Sequence, residues 1–474
     1  MKKFILLFLL FSKLTFSQEL VNSIDINLDK IKSFYRIEDP NNNDYALILK
    51  NKENIELIKA DKSFNVLSRF EHTEIDKSGD FIGNSIKENL FYTYWKKNKK
   101  TLEVLTIDFE NKKIIKNEIN YPIESNEKTL SSYTKDAFFN VITVTKEASI
   151  INYYRFNGLT VEKKSFDCSN MSFVNSLNQK IKFWDFLNDE NGTVYKASFP
   201  IFLTDKINFN SVHATEKKKI YVDNERIIIS SDVNNNFSQF VILSLKDFTA
   251  NSHNISKQDE NSIDSFLSKE TNSFVIDNKI FIAKFSNERI SIIIKNFDNK
   301  TLNSFSITAT EGHQYINSEL IEEVGGIKNR EILKNEEKFL RKSFAKNPSI
   351  TGFLSNGNYY LSIAGVSYPR QQSYQMLGMF GLVGGIAAAI INDGSGSSIT
   401  SYSDKVVVYI RSCISSSNFK PTDLKNVTSN YDNVRSYVEN NNLKENFLTL
   451  FESNNHFYLF AHKNKQEKVT IYKF

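Results

Sequence analysis

The sequence predicts an all-β fold, a β-propeller of seven blades carrying an inserted amphipathic helix and a glycine-rich apolar loop. Two observations support this: a strand–turn–strand phrase that recurs along the chain, and a composition suited to strands. The 474 residues include 39 Phe and 21 Tyr but only 6 Pro, which supplies a large apolar core and favours sheet over disorder. A third observation, the complementarity of the two chain ends, adds that the ring closes.

The recurring phrase is an apolar strand, a polar turn, and a second strand that ends on Phe. It reads LFYTYWKKNKKTLEVLTIDF at Leu90–Phe109, AFFNVITVTKEASIINYYRF at Ala137–Phe156, RIIISSDVNNNFSQFVILSLKDF at Arg226–Phe248 and KIFIAKFSNERISIIIKNF at Lys279–Phe297. A looser copy spans Asp44–Phe64, and the chain closes on another at Asn455–Phe474. The closing Phe residues recur at a period of roughly 46 residues, a length that fits four strands and a propeller blade. The interval from Phe156 to Phe248 is double. Either a degenerate blade containing Pro200 or a long connection fills it, so seven blades is the expected count and eight the alternative.

The ends predict closure. Thr470–Phe474 stands where the third strand of a blade belongs, with nothing after it to serve as the fourth. Leu20–Leu28 is a strand with no blade of its own, carrying apolar Leu20, Val21, Ile24, Ile26 and Leu28. It is therefore expected to complete the last blade and leave no long unpaired edge.

Two stretches break the pattern. Within an insertion at about 299–348, Ile332, Leu333, Phe339, Leu340 and Phe344 fall on one face at helical spacing, between Gly325-Gly326 and Asn347-Pro348. A second insertion at 369–400 contains the uncharged run Met376–Ile391, MLGMFGLVGGIAAAII, which is too short for a spanning helix. Its Gly381 and Gly385 make only a weak G-x-x-x-G match. One reading is a loop folded back on the ring; the other is a contact with an envelope protein or membrane surface, since an exposed apolar patch marks contact.

Residues 1–17 read as a cleavable secretory signal: Lys2 and Lys3, then the apolar run Phe4–Phe11, then small Thr15 and Ser17 before the cut. No cysteine follows the apolar run to carry a lipid. The mature protein, 18–474, is expected to be one exported propeller domain. The formal charge of +5 shrinks when Lys2, Lys3 and Lys13 leave, too small for a nucleic-acid reader. The runs Lys96–Lys100 and Lys217–Lys219 read as solvated turns. Cys168 and Cys413 read as separate buried thiols, with a disulfide as the alternative.

No catalytic, cofactor-binding or metal-binding residue is assigned. His72, His213, His253, His313, His456 and His462 are scattered, and there is no C-x-x-C, no nucleophile elbow, no P-loop and no dinucleotide fingerprint. Glu322-Glu323 reads as a solvated face, Asp232–Asn236 as a turn, and Trp95 and Trp184 as core or rim.

With its leader ending Phe16-Ser17-Gln18, its Lys/Asn/Ile-heavy usage and its Phe-ended strands, the chain resembles uncharacterised secreted propeller-like proteins of Bacteroidota. The resemblance implies a fold and an envelope location, with the periplasm favoured because no type IX sorting domain is recognisable at the C-terminus. It implies no active-site residue. The expected function is non-enzymatic binding or scaffolding in the cell envelope. The alternatives are a hydrolase with acids gathered from different blades in a central pocket, and an outer-membrane β-barrel, suggested by Phe474 after Tyr472.

Overall fold

Strands of alternating Ile, Val, Phe, Tyr and Thr cannot satisfy their backbones singly, and here they assemble into seven antiparallel blades. The computed structural model describes residues 18–474 apart from 27–30, 32, 52–53, 74–78, 147, 189–198, 208–209, 260–269, 368–401, 403–404, 425–428, 442, 444–447, 455 and 463–466.

Blade 1 runs Ser33–Glu38, Tyr45–Lys50, Ile55–Ala60 and Val66–His72 from the ring centre outwards. Blade 2 covers Asp80–Lys87 to Lys113–Asn120, and blade 3 covers Glu127–Lys135 to Thr160–Asp167. Blade 4 is built from Lys218–Val222, Arg226–Ser231, Phe237–Ser244 and Ala250–Ser256, and blade 5 covers Glu270–Ile276 to Thr301–Thr308.

The burial pattern explains the phrase found in the sequence. It is the hairpin of the second and third strands, which a neighbouring blade covers on each face. Leu90–Lys96 and Thr101–Asp108 are accordingly buried along almost their whole length, as strands covered on both faces are. The fourth strand lies at the rim, and Lys113–Asn120 carries Lys113, Lys116 and Glu118 among its exposed residues there, which blunts the edge. The first and second strands are joined by two-residue turns with both φ angles positive, at Glu88-Asn89, Asp136-Ala137, Asp277-Asn278 and Asn356-Gly357, the geometry that matches strand twist.

In blades 1, 2 and 3 the Phe that closes the phrase packs back on an aromatic at the start of the second strand, whereas Phe248 meets Phe166 of blade 3 and Phe297 meets Phe240 of blade 4. Ring centroids lie 4.7 Å apart for Tyr45 and Phe64, 5.4 Å for Phe91 and Phe109, and 5.1 Å for Phe139 and Phe156. Phe64 and Phe248 occupy turns at φ 60° and 57°. Blade 6 has its own copy, Phe419 at φ 57°, 6.0 Å from Tyr359, which is not visible in the phrase because 369–400 splits its hairpin.

Blade 7 comprises Leu448–Ser453, His456–His462 and Lys468–Lys473, and its fourth strand is the N-terminal Glu19–Asp25. Leu20 pairs with Tyr472 and Ile24 with Val469, antiparallel. The ring closes as the ends predicted. Buried Ile24 and Ile26 join Phe34, Tyr45, Val469 and Ile471 in one cluster.

Blade 6 departs from the expected order. Its strands from the centre are Asn347–Ser355, Asn358–Ser367 and Val406–Ser415, but the fourth, Ile321–Val324, precedes them in sequence, with Arg330–Ile332 outside it. The stretch read as a helical insertion therefore begins with the rim strand of blade 5 and includes the rim of blade 6. The helix is shorter than its apolar spacing suggested, Glu336–Phe344, capped by the Asn335 side chain on Lys338 N at 3.0 Å. Phe339 and Leu340 are buried, whereas Ile332 lies in an exposed strand.

The doubled interval holds a long connection rather than an eighth blade: a short hairpin, Phe173–Val174 with Lys180–Ile181, helix α1 (Phe183–Leu187), strand Ile201–Leu203 and helix α2 (Ser211–Ala214). Two longer helices follow, α3 (Glu336–Phe344) and α4 (Asn430–Asn440), the latter wedged between blades 6 and 7 through Val434 and Val438. Because the strands form separate sheets, the described residues make a ring of blades and not a closed β-barrel, which sets the outer-membrane barrel aside. Among them no helix is long and apolar enough to cross a membrane.

Candidate functional site

The ring centre is occupied by the chain's own residues 199–207 and 210–217. Ile201–Leu203 pairs in parallel with Ile220–Val222 on the inner side of blade 4, so its apolar side chains enter the channel. Phe202 packs on Tyr221 and Phe274 at 5.6 and 4.8 Å. Phe199 N donates to Leu130 O at 2.8 Å and Ser131 Oγ to Phe199 O at 3.1 Å, which fixes the segment to blade 3.

The segment then turns at Thr204–Lys206 and goes back up. At the turn Lys135 of blade 3 pairs with Asp205 at 3.1 Å, and Ile207 N donates to Glu452 Oε2 of blade 7 at 3.0 Å. Helix α2 starts on Asn210, whose side chain accepts from Val212 N and His213 N, the usual role of Asn at this position. Ser349 Oγ of blade 6 donates to Ser211 O at 2.6 Å, and Asn272 of blade 5 donates to Thr215 O at 3.1 Å. Five blades thus hold one internal hairpin.

Its tip lies on the face where first strands turn into second strands, and there it divides a bowl. One cleft of about 1100 Å³ is bounded by Arg36, Glu38, Asp136, Asp205, Lys206 and Glu452. Another of about 1060 Å³ lies across the tip, against Phe353, Tyr360 and the start of α4. A third of about 710 Å³ shares Lys135 and Asp136 and is floored by aromatics under cations, with the Arg155 guanidinium 3.5 Å above the Phe138 ring and Lys164 4.7 Å from that of Phe248. Cation–aromatic pairs of this kind leave flat, amphipathic surface.

The carboxylates in the first cleft come from different blades, yet three are committed to internal donors. Glu38 accepts from Ser453 Oγ at 2.6 Å and from Arg36 at 3.1 Å. Tyr45 OH donates to the same Ser453 Oγ at 3.1 Å; burial, with the Glu38 charge nearby, pushes the phenol up to about 12. Asp205 is paired with Lys135, and Glu452 holds the tip.

The structure corrects several expectations. Lys219, read within a solvated run, is fully buried, and so is Asp232. Glu323, read as a solvated face, is buried in a network with Arg330, Tyr409 and Arg435, at 2.6 Å from both arginines and 2.9 Å from the tyrosine. Arg435 also lies 3.9 Å over the Tyr402 ring. Charged letters between strands look alike in sequence whether a neighbouring blade covers them or not.

Cys168 and Cys413 are separate buried thiols, and burial pushes the Cys168 thiol up to about 12. Trp95 is buried and Trp184 packs at the edge of a core cluster. Among the described residues no three His, Cys, Asp or Glu side chains gather as a metal site. Residues 1–17, read as a secretory signal, and the run Met376–Ile391 lie outside the described residues. The central hairpin had no sequence signal beyond the doubled interval and the apolar triplet after Pro200.

No family model matches the chain, and no curated protein matches it. Among solved structures it is similar to the WD40 domain of SCAP from fission yeast, at 11% identity and a TM-score of 0.33, over 94% of this chain and 82% of that one. It is also similar to a cobalt-substituted apocarotenoid oxygenase of Synechocystis, at 5% identity and a TM-score of 0.28, over 58% of this chain and 61% of that one.

Proposed function

We propose that this chain is an exported, non-enzymatic binding or scaffolding propeller of the bacterial cell envelope, periplasmic or associated with the outer membrane. The observation that carries the reading is the central hairpin: residues 199–207 and 210–217 fill the ring centre where a propeller enzyme opens its pocket, and what remains is a face of charge-paired clefts. The leader at 1–17 supports export, and the usage that resembles secreted Bacteroidota propellers supports the envelope. The partner, an envelope protein or membrane surface, is met by the insertion at 369–400 through Met376–Ile391.

Capture from envelope extracts by the mature chain, with and without 375–398, tests the partner assignment. Loss of the same captured partner on deletion is expected; its retention would overturn the role given to the insertion. Cell fractionation should place the processed protein outside the cytoplasm.

The second reading, a hydrolase, draws on the meeting of Glu38, Asp205 and Glu452 in one cleft. It predicts turnover of an envelope or extracellular polymer that Glu38→Gln abolishes in a chain that still folds, as read by circular dichroism. Such turnover would replace the binding reading.

A further inference from the structure

We propose that Lys219 and Asn272 are the two halves of an intramolecular isopeptide bond that joins the innermost strands of blades 4 and 5. Lys219 Nζ donates to Asn272 Oδ1 at 2.7 Å, and both side chains are fully buried. The amide is held from its other end, its Nδ2 donating to Thr215 O at 3.1 Å and to Pro348 O at 3.0 Å. Amine and amide carbon are thus confined together in a dry site, which gives a high effective concentration of the nucleophile.

Asp232 supplies the proton relay. Its Oδ2 lies 3.3 Å from Lys219 Nζ and is fixed by Ser273 N at 2.9 Å and Ser273 Oγ at 2.8 Å. A second buried lysine, Lys257, sits 3.2 Å from Asp232 Oδ1 and donates to Asn234 O and Thr271 Oγ1 at 2.7 and 2.8 Å. Lys257 has no side-chain amide among these partners, so Lys219 is the nucleophile.

Charge favours the same outcome. Two buried ammonium groups share one buried carboxylate, and burying the uncompensated one is disfavoured. Burial pushes the Lys219 ammonium below its ordinary range against the opposing pull of Asp232, which raises the share of the neutral form, the one whose lone pair can attack the Asn272 amide carbon. Lys217, the nearest other cation, lies outside, with its Nζ on Thr271 O at 2.8 Å and Glu270 at 3.3 Å.

In the step, Lys219 Nζ adds to Asn272 Cγ, so the Nζ–Cγ bond forms as the Cγ–Nδ2 bond breaks. Asp232 takes one proton from Nζ and passes it to Nδ2, which leaves with its electron pair as ammonia. The oxidation state is unchanged and no co-reactant is consumed. Asp232 ends as ionised as it began, the net charge of the site is unchanged by the step, and Lys257 stays beside Asp232 as its ion-pair partner.

Intact mass spectrometry of the mature chain tests this. The expected mass is lower than the sequence requires by one ammonia, with a branched peptide joining the segments around Lys219 and Asn272. An N-terminal Gln18 could lose ammonia by its own cyclisation, so the chain is produced from Glu19 with an initiating Met. Asn272→Ala and Lys219→Arg should both restore the full mass. If neither variant folds, the wild-type fragmentation alone decides: a full mass, or two linear peptides, overturns the bond.

Discussion

Glu127 shows how one residue can hold a blade. It begins the inner strand of blade 3 with its side chain 1% exposed, and it accepts from Tyr154 OH at 2.7 Å, Lys163 Nζ at 2.9 Å and Thr143 Oγ. Burial by itself would raise its carboxyl, but the three donors outweigh it and hold the group below its ordinary range. An acid depressed in the folded state contributes stability that is present above its unfolded pKa, near 4.5, and lost as pH falls through the folded value. Glu127→Gln should therefore lower stability at pH 7 by about 1–3 kcal/mol. Its acid unfolding should also be shallower than that of the wild type below about pH 4.5, measured by urea titration across pH. Equal slopes would show that the carboxylate's charge is not what matters.

Among the elements, the N-terminal strand has the largest consequence. Glu19–Asp25 is exposed along much of its length, yet it pairs with Lys468–Lys473, and buried Ile24 within it and Ile26 just after it reach the core between blades 7 and 1. Asn22 Nδ2 also donates to Phe64 O at 3.0 Å, and Arg69 to Asp25 O at 2.8 Å, so the strand is clasped by blade 1 as well. Deleting 18–28 should uncover the edge of Lys468–Lys473 and lower the melting temperature by several degrees or more, with aggregation through the open edge. An unchanged melting curve would mean the ring does not depend on its closure.

The whole molecule is a ring with a filled centre. Its stability is shared around the circle, because each blade's two faces are covered by neighbours, and across it, because residues 199–207 and 210–217 touch blades 3 to 7. Phe202 is buried between Tyr221 and Phe274; Phe202→Ala should cost about 3–5 kcal/mol and leave one cooperative transition, read by chemical denaturation. A variant as stable as the wild type would make the hairpin a loose occupant rather than part of the core. Large buried ion networks add to the same cohesion. Removing Arg435 would take one of two guanidinium partners from buried Glu323, which keeps Arg330 at 2.6 Å and the Tyr409 hydroxyl, so the cost should fall below the roughly 3–5 kcal/mol of a buried charge left with no partner.

Much of this was written in the order of the residues. The hairpins recur because every blade needs two doubly covered strands, the closing Phe packs on the second strand's first aromatic in blades 1 to 3 and on the preceding blade at Phe248 and Phe297, and the free strands at the two ends pair. Tertiary structure decided the rest. The rim strand of blade 6 is borrowed from upstream, Ile332 faces solvent although its spacing fits a helix, and the doubled interval folds inward instead of making an eighth blade. Lys219, Asp232 and Glu323 carry no mark of burial in a linear chain, because burial is set by the neighbouring blade. Local pattern fixes what each strand must cover, while the charges a ring encloses depend on which blades meet.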